Sequence, residues 1–144
     1  IHQDYLLADI NQLNLEEILP KFDAVIVFDV LEHLTLEQAE ELISKIENEP
    51  NIKFIAFRTP SVFLEQENYD ENEYQRHLSN LSPNFFKNKG YLVYGVDGPS
   101  FLNIEGNLPR RTFSISKSIF STLLRPLFLF FPTHSMNYLA IKVR

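Results

Sequence analysis

Cysteine is absent from this 144-residue chain. That excludes a disulfide framework and any thiolate metal site, and makes a reducing compartment, the cytoplasm, the natural expectation. Glycine is scarce as well: four residues, at positions 90, 95, 98 and 106, with no G-x-G-x-x-G ahead of the first clear apolar strand. No basic stretch followed by an apolar one opens the chain, so no signal peptide is visible. Positive charge is outnumbered, with 13 Lys and Arg against 19 Asp and Glu, a net charge of −6 and a pI near 5.2. Without clustered Lys and Arg, a broad footprint for nucleic acid is disfavoured and no nucleic-acid partner is expected. What is present is a hydrophobic fraction of 44% and an aromatic fraction of 13%, too apolar for disorder and long enough for one domain with a real core. The chain opens at Ile1, in residues that read like the inside of a domain, so the expectation is a fragment of a longer protein.

The remaining elements are arranged around Phe22 to Leu34, F-D-A-V-I-V-F-D-V-L-E-H-L. Ala24 to Phe28 is a short, β-branched apolar run that reads as a strand buried on both faces, as in a parallel sheet. After Asp29 the apolar residues Val30, Leu31 and Leu34 take helical spacing, with Glu32 and His33 between them. Asp29, Glu32 and His33 therefore stand where a strand ends, and ligands of open parallel sheets bind outside the carboxyl ends of the strands.

This run resembles the strand-4 signature of class I S-adenosylmethionine-dependent methyltransferases of the small-molecule type, F-D-x-V-x-x-x-D-V-L-E-H-L. A second run, His77 to Tyr91, H-L-S-x-L-S-P-x-F-F-K-x-K-G-Y, resembles the segment before strand 6 in the same enzymes. The resemblance implies a Rossmann-like α/β fold, a three-layer sandwich with a mostly parallel sheet and an antiparallel last strand. It also implies that the N-terminal strands and the glycine-rich turn lie outside this sequence. Residues 1–144 would then form the C-terminal part of a single methyltransferase domain, with 110–132 as a helical, apolar insertion before the last strand. The cofactor implied is S-adenosylmethionine, with Asp9, Ile10, Phe28, Asp29 and Val30 as its binding residues. Asp9 would accept from the adenine amino group and the Ile10 N–H would donate to the ring. An Asp in that position can equally cap a helix.

Along the rest of the chain, Tyr5 to Ala8 reads as a strand end. Thr35 to Glu49 carries Leu36, Ala39, Leu42, Ile43 and Ile46 at amphipathic-helix spacing, with Thr35 and Gln38 forming a capping box and Pro50 marking the end. Lys53 to Phe57 reads as the next strand, stopped by Thr59-Pro60. Ser61 stands where the resembled enzymes often have Asn. The acidic stretch Leu64 to Arg76 reads as a long loop suited to substrate. Ser82, Pro83 and Gly90 punctuate a short helix. Tyr91 to Val96 reads as a strand ending in an Asp97-Gly98-Pro99 turn, and Met136 to Val143 as the last strand, inserted antiparallel. Ile115 to Pro132 reads as a helix and an aromatic run broken or kinked at Pro126. Too short to span a bilayer, it is expected to be a buried element or a homo-oligomer face, or to make peripheral membrane contact through 115–132.

Methyl transfer from a sulfonium needs the acceptor oriented and, for a hydroxyl, a proton removed. His33 and His77 are the candidate catalytic bases, because imidazole can take a proton near neutrality. Glu32, Arg58, Pro60 and Tyr69 are the candidate substrate-binding residues. Asp29, Glu32 and His33, at i, i+3 and i+4, would share one side of a helical turn and could hold a divalent cation, as some relatives with this signature do. The expectation is nonetheless a site without metal. The acceptor expected is a small molecule or a lipid- or sugar-linked group. The competing reading is a non-catalytic Rossmann-like binding or assembly module.

Overall fold

Four strands form one sheet in the computed structural model, which describes residues 5–61, 76–103 and 122–144. The expectations for Tyr69, for most of the Leu64–Arg76 loop and for residues 110–121 of the apolar insertion lie outside these residues. The strands are β1 (Ala24–Phe28), β2 (Phe54–Pro60), β3 (Leu92–Pro99) and β4 (Ser135–Val143), in the spatial order β1-β2-β4-β3, and a short helix, α1 (Leu15–Ile18), precedes β1. β1 and β2 pair parallel, Ala24 opposite Phe54 through Phe28 opposite Arg58. β4 pairs antiparallel with both β2 and β3. The inserted last strand expected from the sequence is thus present, and β1, β2 and β3 all run the same way.

One face of the sheet carries the core. Ile55, Phe57, Tyr138 and Ala140 are buried there against Ala39, Leu42, Ile43 and Ile46 of helix α2 (Leu36–Asn48) and Phe86 of helix α3 (Pro83–Asn88). Each such Leu, Ile or Phe contributes roughly 1.5–3 kcal/mol on burial. The capping box forms: Thr35 Oγ1 accepts from the Gln38 N–H, and Gln38 Oε1 accepts from the Thr35 N–H at 2.9 Å. α3 starts at the Ser82 cap with Pro83 in its first turn, and Gly90 follows at φ 82°.

The opposite face differs from the sequence expectation. In register across the sheet stand Ile26, Ala56, Ile141 and Leu92, and beside them Phe28, Arg58, Leu139 and Tyr94. Ile26, Phe28, Leu92 and Tyr94 are exposed. β1 is therefore half-buried on one face, through Val25 and Val27, and exposed on the other, because among the described residues both helices that cover the sheet, α2 and α3, lie on the first. Tyr5 to Ala8 forms no strand and is exposed. A strand needs a neighbour to complete its ladder, and β1 terminates the described sheet.

Three further boundaries shift. β2 continues through Arg58, Thr59 and Pro60, because β4 is long enough to pair opposite them, Pro60 against Asn137. The Asp97-Gly98 pair does not reverse the chain. Both residues take positive φ, 65° and 85°, inside β3, and the register with β4 shifts between Val96 and Pro99. The left-handed propensity of Asp-Gly is used for a bulge. Pro126 does not end its helix, since residues 122–128 are helical (α4) around it. The proline forgoes one backbone bond, and the helix stops within the next turn.

Candidate active site at the strand exits

Arg58 ties together the exits of β1 and β3. Its Nη1 donates to Asp29 Oδ2 at 2.7 Å and its Nη2 to Asp97 Oδ2 at 2.8 Å, while Asn137 Nδ2 donates to the same Asp97 oxygen. The Asp29 N–H also donates to the Arg58 carbonyl at 3.0 Å. Asp29 and Asp97 are the two non-glycine residues with positive φ among the described residues. Left-handed backbone persists at such positions only when its surroundings over-determine it, and here the guanidinium holds both. Burial pushes the Asp97 carboxyl up, but the bonds from Arg58 and Asn137 outweigh it and hold it below its ordinary value.

Beyond Asp29 the chain makes a tight 3-10 turn, Leu31–His33, which buries Leu31 and Glu32. The segment before α3 is stapled over this turn. Leu78 N–H and Ser79 N–H donate to the Glu32 carbonyl at 2.7 and 3.2 Å, and Ser79 Oγ donates to the Leu31 carbonyl at 2.9 Å. That stapling brings His77 to His33, their rings edge to face with centroids 5.0 Å apart. The His33 Nδ1 lies 3.3 Å from the Arg76 carbonyl oxygen. The Glu32 side chain accepts from Thr59 Oγ1 on β2 at 3.2 Å. Burial raises its pKa, and its backbone hydrogen bond, the neighbouring His33 and the Thr59 bond only partly offset this.

One Glu32 oxygen, one His33 nitrogen and one His77 nitrogen all lie within 4.8 Å of one another. Two imidazoles and a carboxylate suit a transition-metal ion better than magnesium, which takes oxygen ligands. The trio expected from helical spacing does not assemble. Asp29 is turned to Arg58, and His77 stands beside Glu32 and His33 instead.

The other expected residues are spread around this cluster. Val30 is half-buried and packs against the core, Phe28 is exposed on the open face, and Pro60 closes β2. Asp9 caps a short 3-10 turn, Ile10–Gln12, with Oδ1 accepting from the Asn11 N–H at 3.0 Å and Oδ2 from the Gln12 side chain at 3.4 Å. The cap role is filled, and the weakly engaged Oδ2 leaves room for a further donor. A cavity of about 60 Å³ is lined by Ile10, Leu13, Leu34, Gln38 and Leu42 among others, well short of the roughly 300 Å³ or more of a small-molecule site. Thr59 and Asp97 were read from sequence as local punctuation, and neither they nor Asn137 were given a place in the site. The Asp-Gly pair at 97–98 was the one local signal near them, and it reads first as a turn.

No family model matches the chain, and no curated protein matches it. A solved SAM-dependent methyltransferase from Archaeoglobus fulgidus is similar to it in structure, with a TM-score of 0.48 and 15% sequence identity. The match covers 89% of this chain and 64% of that one, so the chain spans under two thirds of that protein's length.

Proposed function

We propose that this chain carries part of the active site of an S-adenosylmethionine-dependent methyltransferase acting on a small-molecule or lipid- or sugar-linked acceptor. The observation that carries the reading is the convergence of Glu32, His33 and His77 beyond the carboxyl end of β1, within the run that resembles the D-V-L-E-H-L signature. The cofactor, when bound, supplies an electrophilic methyl group. The chain's own residues orient the acceptor and accept its proton at a His33 or His77 ring nitrogen. Buried Glu32 and its Thr59 partner fix the turn that carries His33. Arg58, engaged with two aspartates, sets the β1 exit and the rim.

The candidate residues fit one end of the cofactor. Asp9 Oδ2 offers an acceptor for the adenine amino group, whereas the candidate set has one cation, Arg58, already bonded to two carboxylates. The test is transfer of labelled methyl from S-adenosylmethionine into metabolite and lipid extracts by the full-length protein. Labelled product that disappears with His33→Ala supports the reading, and cofactor binding with no transfer favours the non-catalytic binding module.

The Glu32, His33 and His77 cluster favours a second reading in which the same site works with a divalent transition metal. Calorimetric titration with zinc or manganese distinguishes the two. Binding that is lost in His77→Ala, together with chelator-sensitive transfer, selects the metal reading; unchanged transfer in chelator selects the metal-free one.

A further inference from the structure

Residues 122–131 place a contiguous group of large apolar side chains in solvent. Leu123 is 72% exposed, Leu127 54% and Phe130 76%, with Leu129 and Phe131 beside them. Leu123 and Leu127 are one helical turn apart and so share a face. Phe128 points the other way, against Phe101 and Phe131. The patch does not hang free. The Gly95 N–H of β3 donates to the Leu129 carbonyl at 3.1 Å, Pro132 is buried, and Ser135 Oγ donates to the Pro132 carbonyl at 2.8 Å. A rigid apolar projection of this kind marks an interaction surface.

Charge decides which partner it fits. Residues 106–134 contain four Lys or Arg, at 110, 111, 117 and 125, and no Asp or Glu, within a chain of net charge −6. Arg125 lies on α4 itself, exposed among the leucines. A second copy would bring like charges together. Nucleic acid would accept the charge and leave the leucines and phenylalanines in water. An anionic bilayer satisfies both, with the exposed leucines and phenylalanines entering the acyl boundary and Arg125 meeting lipid phosphates. No helix among the described residues is long and apolar enough to cross a membrane. We infer that this protein docks on anionic lipid surfaces through residues 122–131, without spanning them. The inference stands on the patch and the charge alone and does not depend on methyl transfer.

The test is flotation of the full-length protein with phosphatidylcholine vesicles, with and without about one third phosphatidylglycerol. Partition onto the anionic vesicles is expected to exceed that onto neutral ones by about tenfold, each basic residue near the surface being worth roughly fivefold. Leu127→Ser with Phe130→Ser should cut it by about tenfold or more, since each exposed apolar side chain removed forfeits part of the burial. Both side chains are exposed, so the melting temperature should hold. Arg125→Glu gives a second variant: it should weaken binding to anionic vesicles and leave neutral ones unaffected. Equal partition onto both vesicle types, or partition unchanged by all these substitutions, overturns the inference. So does a dimer or a nucleic-acid complex that the serine substitutions dissolve while vesicle binding persists.

Discussion

The His33 and His77 rings meet edge to face, 5.0 Å between centroids, although one follows β1 and the other precedes α3. The bonds from Leu78 and Ser79 to the Glu32 carbonyl set that meeting. Under the proposed methyl transfer, His33→Ala in the full-length protein should lower turnover by about 10²–10⁴ with cofactor affinity retained. Ser79→Ala, which removes the bond to the Leu31 carbonyl, should lower turnover more mildly and cost about 1 kcal/mol of stability. Full activity in both variants, measured per folded molecule, would make the histidine pair a packing feature.

Glu32 gives a stability test with a definite sign. Its folded pKa is raised, chiefly by burial, so the stability tied to its protonated form is fully present below the unfolded carboxyl value and is lost as pH rises through the folded value. Glu32→Gln should therefore raise the melting temperature at pH 7.5, and the gain should shrink towards pH 4. A loss at pH 7.5 would mean that the Thr59 bond to the carboxylate outweighs the desolvation.

At the other end of the sheet the sign reverses. Glu47 accepts from Lys89 at 2.8 Å and from Lys142 at 3.0 Å, and although burial pushes its carboxyl up, these partners hold it below its ordinary value. Its contribution is present above the unfolded carboxyl pKa and lost as pH falls through the folded one. Glu47→Gln should cost about 1–3 kcal/mol at pH 7, as charge-assisted bonds are removed, and progressively less below pH 4 or so. Denaturant titration at the two pH values checks it.

Gly95 is required by close approach. A β-carbon there would overlap the Phe128 carbonyl oxygen and the Ser135 side chain. Gly95→Ala should destabilise by about 1–3 kcal/mol, the usual range for overpacking, whereas nothing lies near a β-carbon at Gly90. There the cost of alanine comes from the positive φ alone, about 1 kcal/mol. Equal and negligible losses at the two positions would contradict the packing of 125–131 against β3.

Elements governed by neighbouring residues were legible in the sequence. The Thr35–Gln38 capping box, the Ser82-Pro83 start and Gly90 stop of α3, and the apolar spacing of α2 each specify structure within one or two turns. The antiparallel insertion of β4 came from the resemblance. What failed depended on distant partners. β1 looks buried on both faces because Ala24 to Phe28 is apolar throughout, yet burial is decided by what packs on the sheet. The Asp97-Gly98 bulge has the composition of a turn and becomes a bulge only because Ser135 continues the ladder opposite Pro99. At the candidate site, Glu32 and His33 stand out in sequence by their place at a strand exit, and His77 by its own run. That the three converge while Asp29 turns away to Arg58 is a tertiary fact that the i, i+3, i+4 spacing could not supply.

Whether the strand-exit cluster serves methyl transfer is measured by incubating the full-length protein with labelled S-adenosylmethionine and cellular extracts, beside its His33→Ala and His77→Ala variants. A labelled product is expected with the parent protein, and about a hundredfold or greater loss in at least one variant whose melting temperature is unchanged. Absence of any labelled product across metabolite and lipid fractions, from a protein that binds the cofactor, would contradict it.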